Sequence, residues 1–344
     1  MSDSNQIPWV SFCMSTFKRP AFLKNALNTI QRQTFGNFEV IVSDNDPDGS
    51  AKEVVESLED SRFKYFHNGV NLGMVKSFNK SIERSSSEYI VMITDDDPVY
   101  PEMLSELYSL YMQYPGYGVY HGGCDVIYFN PEMAFSCRGK VGTNSCLSNE
   151  FPIGHIKTYS KEDFPPAFLK NTVNNYMLWS VGIVKKQILR DIGGIPDFGT
   201  PFMSDLAYTL LICSHSGAVV VNTSLGAQTV HGSNFGYTQS DKYEGYYKTA
   251  EGFYSWISHR MSHRQDWENL RPEIEKYIAR WMVGYGVSIK KHLKLHNQSL
   301  SELNIVLKRI FKIKYISKWR WKYYISAYLP NTFEFLLKIK KGQI

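Results

Sequence analysis

The fold predicted by this 344-residue sequence is α/β: a doubly wound, mostly parallel sheet flanked by helices, with a C-terminal helical extension. Three observations carry the prediction. Apolar strand-like runs alternate with helix-patterned segments four times in the first hundred residues, the signature of βαβ units. The strand candidates end in polar residues, and ligands of open parallel sheets bind at the carboxyl ends of strands. Beyond residue 240 the periodicity becomes helical and stays so.

Residues 9–14 (WVSFCM) read as a buried strand. The turn at 15–20 (STFKRP) opens a helix in which Phe22, Leu23, Ala26, Leu27 and Ile30 recur at three- and four-residue spacing. Its first turn sets backbone N–H groups and a positive dipole end beside the strand terminus, which suits a phosphate. Residues 38–43 form a second strand that runs into Asp44, Asn45 and Asp46. A helix over 51–58, a short strand over 63–66, a glycine turn at 68–73 and a helix over about 74–84 follow.

The fourth strand, 89–94 (YIVMIT), ends in Asp95, Asp96 and Asp97. Adjacent carboxylates repel, so the arrangement requires a bound cation or strong donors. A hard divalent ion, Mg²⁺ or Mn²⁺, held by one or two carboxylates and completed by substrate phosphates, meets that requirement. The alternative is a solvated acidic loop that caps the helix beginning near Pro101.

Strand signal returns over 117–129, and residues 130–170 are irregular, a length of loop that is functional or disordered. A strand over 174–184, a helix over 185–192 and the Gly193-Gly194 turn come next. Asp205 opens a helical stretch with Leu206, Leu210 and Leu211, where a capping role is available to it. After a strand at 218–221 comes the segment 228–233, which contains His231. Ile274, Tyr277, Ile278, Trp281, Met282 and Tyr285 then form one stripe on a helix that Pro272 starts, for packing on the sheet domain or on another subunit.

Composition is globular, with 43% apolar and 21% charged residues, but the 15% aromatic content is high and can serve ring-stacking sites and membrane interfaces as well as cores. Five cysteines without a CxxC pair argue against a disulfide framework or a zinc site, and Cys13 and Cys213 read as buried hydrophobes. The first residues lack the pattern of a secretion signal and no apolar run approaches a membrane span, which predicts a cytoplasmic protein. Residues 304–344 carry ten Lys or Arg against one acid, a charge of +9, and leave the preceding 303 residues at −4 (28 basic, 32 acidic). That basic tail contains Trp319, Trp321, Tyr323, Tyr324 and Tyr328, the ingredients of an interfacial helix at the inner face of a membrane, with a structural role for the rings, packed on the helix around Trp281, as the alternative. A slightly acidic body without a recognition module argues against nucleic acid as its partner.

The segments TFKRP, QTFGNFEVIVSDND, NLGMVKSFN, EYIVMITDDD and IGGIPDFGTPFMSDL, in that order and spacing, resemble the family 2 inverting glycosyltransferases of the GT-A fold over about residues 8–235. The resemblance implies a catalytic domain over 1–235, with a nucleotide-sugar half to about 120 and an acceptor half over 121–235, ahead of a helical region from 240 to 344. It sets Phe17 where an aromatic ring stacks on the nucleotide base, although a turn phenylalanine is equally compatible. Asp44 and Asn45 fall where the base edge is bound, which suits the N3–H of UDP or dTDP donors. Thr94-Asp95-Asp96 stands in for the DxD signature, with Asp95 toward the ribose or diphosphate and Asp96 on the metal. Asp97 shares the metal or orients a water, and Lys76 contacts phosphate or is solvated. Asp205 corresponds to the general base, here without the preceding acid of the family pattern, and His231 to a ligand of metal or phosphate.

The function this implies is metal-dependent, inverting transfer of a sugar from a nucleotide diphosphate to an acceptor hydroxyl, on a lipid-linked or oligosaccharide acceptor in cell-surface polysaccharide assembly. A sugar nucleotidyltransferase is the first alternative, but the 15–19 turn contains no glycine for its phosphate loop. A non-catalytic nucleotide-sugar-binding module is the second.

Overall fold

A computed structural model describes residues 7–128, 152–170, 179–198, 203–231, 242–295 and 297–329, with 332 and 339. Of the segment expected to be irregular, 130–151 lies outside these residues, but its remainder is ordered against expectation, with a strand at Ile156–Tyr159 and a helix at Phe164–Leu169. The start of the expected strand over 174–184 also lies outside, and its described part is a 3-10 turn, Trp179–Val181, before a strand that begins at Gly182; Lys338, Lys340 and Lys341 lie outside as well. The chain divides into two compact units, Met1–Asp197 with Ser204–Asn234 and Phe198–Met203 with Phe235–Ile344.

The first unit is built on an eight-stranded sheet of order β3-β2-β1-β4-β7-β5-β8-β6. Its strands are β1 (Val10–Thr16), β2 (Phe38–Asp44), β3 (Phe63–His67), β4 (Tyr89–Thr94), β5 (Val119–Tyr128), β6 (Ile156–Tyr159), β7 (Gly182–Lys185) and β8 (Ala218–Val230). The half predicted from alternation is parallel throughout: β1 pairs with β2 and β4, and β2 with β3. β1 and β2 lie inside the sheet with helices over their faces, so their side chains are almost all buried, which is why they read as continuous apolar runs. α1 (Pro20–Gln31), α2 (Lys52–Glu56), α3 (Met74–Arg84) and α4 (Met103–Gln113) supply the crossovers. α1 buries Leu23, Ala26, Leu27 and Ile30, four of the five residues that its spacing singled out.

The second half of the sheet is mixed rather than parallel. β7 runs antiparallel to β4 and β5, and β6 antiparallel to β8, while β5 and β8 are parallel. Sequence reasoning expected β8 to end at residue 221, but it continues to Val230, with register shifts against β5 around Gly123. Its polar second half kept it from reading as a strand, and a partner strand stabilises it regardless.

That extension positions the site. Residues 96–100 lie along it: the Ala227 N–H donates to the Pro98 carbonyl at 2.9 Å, the Tyr100 N–H donates to the Leu225 carbonyl at 2.9 Å, and Val99 bridges Gly226. Gly226 is required for this approach, because a Cβ there would stand 2.7 Å from the Pro98 carbonyl oxygen and 2.9 Å from Val181.

The second unit is helical, with helices over Lys242–Met261, Trp267–Leu295, Ser301–Ile310, Lys314–Ser317 and Arg320–Tyr328. The stripe around Trp281 faces its interior, where Ile274, Tyr277, Ile278 and Met282 are buried. That helix begins at Trp267, not at Pro272, which sits inside it and gives up one backbone hydrogen bond.

Replacing Gly226 by Ala is expected to destabilise the protein by about 1–3 kcal/mol, the usual cost of overpacking a closed contact. Urea denaturation of the two proteins measures it, with the midpoint of the variant lower at an unchanged slope.

Candidate active site

The carboxyl ends of β1, β4 and β8 meet at one edge of the sheet, and four of the nine candidate site residues gather there. β4 delivers Asp95 and Asp96, β8 is followed directly by His231, and the turn after β1 contributes a residue to which the sequence reading gave no role, Arg19. The Arg19 guanidinium forks across the acids, with Nη1 2.9 Å from Asp95 Oδ1 and Nη2 bonded to Asp96 Oδ2. Nη2 also lies 3.1 Å from His231 Nε2, which is itself 3.1 Å from Asp96 Oδ2. Phe22 on α1 closes one side, its ring stacked on His231 at 4.2 Å and beneath the guanidinium at 5.1 Å.

A signal for Arg19 existed in the sequence. It occupies the N-cap of α1, followed by Pro20, and a cation at that end of a helix opposes the dipole. Such a residue needs nearby anions to hold it.

Asp97, the fourth candidate here, points elsewhere. Its Oδ2 accepts the Thr94 hydroxyl at 2.6 Å and its Oδ1 the Thr229 N–H at 3.0 Å, so it ties β4 to β8. The Thr229 hydroxyl donates to the Asp96 carbonyl, a second tie, and Thr16 donates to Asp95 Oδ2 at 2.8 Å. Burial pushes the Asp95 carboxyl up to about 7 despite the pull of Arg19, with Asp96 adding to the rise. Burial, followed by the Asp96 charge, raises Asp97 as well. Both directions follow from carboxylates removed from water beside a like charge.

The base-side candidates lie in the turn after β1, at the end of β2 and on α3. Phe17 keeps its ring 40% exposed, open to a stacking partner. Asp44 is fully buried, accepting from the Asp46 N–H (2.9 Å), the Ala51 N–H (3.1 Å) and the Tyr65 hydroxyl (3.1 Å), and so shapes the loop after β2. Asn45 accepts from Asn68 at 3.0 Å and donates to the Gly73 carbonyl at 3.2 Å, which connects that loop to the start of α3. Lys76 is exposed on the first turn of α3.

Asp205 lies in the first turn of the helix Ser204–Ser216, where the Leu206 N–H donates to it at 2.9 Å and burial raises its pKa. The last turn of that helix lies against Gly118, just before β5. Among the described residues neither Asp205 nor Lys76 is hydrogen-bonded to the Arg19 cluster.

The donor set fits a hard divalent ion in one manner. Asp96 Oδ2 and His231 Nε2 converge on a single point, where a cationic nitrogen of Arg19 now sits. Among the described residues no group of three His, Cys, Asp or Glu side chains could hold a metal by itself. Two protein donors completed by phosphate oxygens remain a normal arrangement for such ions.

Residues 11–136 match the Glycosyl transferase family 2 profile. That stretch is a family 2 glycosyltransferase domain. It contains β1 to β5 and hence Phe17, Arg19, Asp44, Asn45, Lys76 and the acidic triplet, while Asp205 and His231 lie beyond the matched residues. The chain is 35% identical over 123 residues to the GalNAc(5)-diNAcBac-PP-undecaprenol beta-1,3-glucosyltransferase of Campylobacter jejuni, covering 34% of this chain and 38% of that one. The chain thus spans little more than a third of this relative. Among solved structures it is similar to S. aureus TarS 1–349 in complex with UDP-GlcNAc (TM-score 0.52, 13% identity, 86% of this chain and 90% of that chain). It is also similar to a Pyrobaculum calidifontis mannosyltransferase in complex with GDP-Man and Mn²⁺ (TM-score 0.51, 12% identity, 96% of this chain and 88% of that chain). At such identities the likeness speaks to fold, and the family 2 domain has the GT-A architecture.

Asp97→Ala is expected to unfold at lower denaturant, because it strands the Thr94 hydroxyl and the buried Thr229 N–H, at about 1–3 kcal/mol for each unpaired group. Asp97→Asn, which keeps one acceptor oxygen, should lose less, and equilibrium unfolding of the two variants measures the difference.

Proposed function

We propose that this protein transfers a sugar from a nucleoside-diphosphate sugar to an acceptor hydroxyl, with inversion at the anomeric carbon, during assembly of a cell-surface polysaccharide on a lipid-linked acceptor. One observation carries the reading: Arg19, Asp96 and His231 converge on one cation point at the carboxyl edge of a family 2 glycosyltransferase domain.

In this reading the donor base stacks on Phe17, with its edge toward the loop that Asp44 and Asn45 hold, and Lys76 approaches the phosphates from α3. Asp95 faces the ribose or the diphosphate. Asp96 and His231 would hold the divalent ion, Mn²⁺ or Mg²⁺, and Asp97 positions β4 and β8 rather than ligating. A metal bound there neutralises charge on the leaving diphosphate. Asp205 takes the proton of the attacking hydroxyl. Its desolvated carboxyl, with a raised pKa, is a stronger base than an ordinary aspartate and closer to neutral operation. The nucleotide sugars bound by TarS and by the mannosyltransferase support this donor class, and the Mn²⁺ in the latter supports a metal. The undecaprenol-linked substrate in the name of the C. jejuni relative supports a lipid-linked acceptor.

The C-terminal unit supports a peripheral position at the inner face of the membrane. No described helix is long and apolar enough to cross a membrane. On the helix Arg320–Tyr328, Tyr323 is buried against Phe311, while Trp321 (58% exposed), Tyr324 (43%) and Tyr328 (52%) recur at spacings of three and four residues on one open face. Lys318, Arg320 and Lys322 accompany them, which joins headgroup-level rings to cations.

The test of the reaction is a panel of nucleotide sugars with and without chelator, read by donor hydrolysis and thermal shift. Stabilisation by a nucleotide sugar with release of nucleoside diphosphate supports transfer. Activity on sugar 1-phosphates with nucleoside triphosphates would instead make the protein a nucleotidyltransferase, and binding without turnover a recognition module. Asp205→Asn is expected to lower turnover about 10²-fold or more while donor binding persists, since Asn keeps the shape but accepts no proton.

The membrane reading is tested by flotation with anionic vesicles. The protein should bind at low salt and release at high salt, at about 1 kcal/mol per engaged basic residue. Replacing Trp321, the most exposed of the three rings, by Ser should weaken binding without loss of fold. Binding unchanged in that variant would rule this face out.

A further inference from the structure

Arg19 is a cation hydrogen-bonded to the cluster, and its position bears directly on metal binding. Nη2 is bonded to Asp96 Oδ2 and lies 3.1 Å from His231 Nε2, the two atoms best placed to ligate a divalent ion. An ion on those atoms requires separations of about 2.0–2.2 Å and cannot coexist with the guanidinium in its present place. Arg19 has a second hold, its 2.9 Å pair with Asp95, that does not involve the ligating atoms. It can therefore release Asp96 and stay attached to the site. The residue is a quarter exposed by its side chain, which leaves it a side open to solvent and substrate.

We propose that Arg19 is a resident counter-cation that competes with the divalent ion for Asp96 and His231 and yields only when a diphosphate arrives to engage the displaced guanidinium. This rests on the metal-diphosphate reading above and adds an order of events to it. Without donor, Asp96 is neutralised by Arg19 and free metal gains little. With donor, the phosphates complete the metal's coordination and offer Nη2 two-pronged anionic partners of the kind a guanidinium fork matches. Metal and diphosphate binding are thus coupled through one side chain, and such coupling is reciprocal. Arg19 acts here as a positioning residue, since it sets when the metal site becomes available.

The experiment measures Mn²⁺ binding directly, by electron paramagnetic resonance of the free ion, in nucleotide-free full-length protein. Wild type should bind Mn²⁺ weakly, and Arg19→Gln should bind it about tenfold tighter or more, within the usual range of coupling between sites. Arg19→Lys keeps the charge but lacks the fork and should fall between them. Adding Asp96→Asn to Arg19→Gln should abolish the gain. The proposal is overturned if Arg19→Gln binds Mn²⁺ no better than wild type, or if the gain survives Asp96→Asn. Should Arg19→Gln not fold, wild type alone decides: Mn²⁺ affinity that does not rise when UDP or GDP is added overturns the coupling. A wild type that binds Mn²⁺ with nucleotide, beside an Arg19→Gln that is unchanged without it, removes the competition and leaves the metal site standing. If Asp96→Asn binds Mn²⁺ with nucleotide as well as wild type does, the metal site itself is misplaced.

Discussion

Three carboxylates in succession at the end of a buried strand have to be held against their mutual repulsion, and much of the local structure serves that end. Two like charges about 4 Å apart repel by roughly 4 kcal/mol at an effective dielectric constant of 20, comparable to a large part of a domain's net stability. The structure divides the three between two solutions. Asp95 and Asp96 share the Arg19 guanidinium, and Asp97 turns away to hydroxyl and amide donors on β4 and β8. Desolvation pushes Asp95 toward neutrality as well, which lessens the charge that Arg19 must balance.

These solutions fix the neighbouring elements. Arg19 can reach the acids only from the N-terminus of α1, so the turn after β1 is held against the end of β4. Thr229 can reach Asp97 only if β8 extends beyond the length its apolar residues suggest, and Gly226 allows the chain after the triplet to approach it. His231 then follows β8 directly into the cluster. A site drawn from residues 19, 95, 96 and 231 is therefore a consequence of sheet order, in which β1 and β4 are neighbours and β8 is brought near by β7 and β5.

The helical unit sorts its aromatics by a different rule. Tyr246, Phe253, Tyr277 and Tyr323 are buried, while Trp321, Tyr324 and Tyr328 remain exposed on the final described helix. A uniformly packed bundle would have buried those rings too, since each adds a large apolar area. Their exposure among basic residues is what separates this helix from the stripe around Trp281.

The sequence by itself determined the first, parallel half of the fold, because strands buried on both faces and amphipathic crossovers leave direct periodic signals: β1 to β4 and α1 to α4 stand close to where the pattern put them. It also marked the acidic triplet as a concentration of charge that has to be met by a cation, by strong donors or by open solvent, without deciding among them. It marked His231 only through family resemblance, and apart from that resemblance gave Asp205 no role beyond capping its helix. Only the tertiary structure decided which cation answers the triplet, that Asp97 faces Thr94 and Thr229, that Asp44 and Asn45 hold loops, and that β8 runs to Val230. The physical reason is the same in each case. These facts are pairings between side chains or strands far apart in the chain, up to 212 residues for Arg19 and His231, and a pairing leaves its mark on neither partner alone.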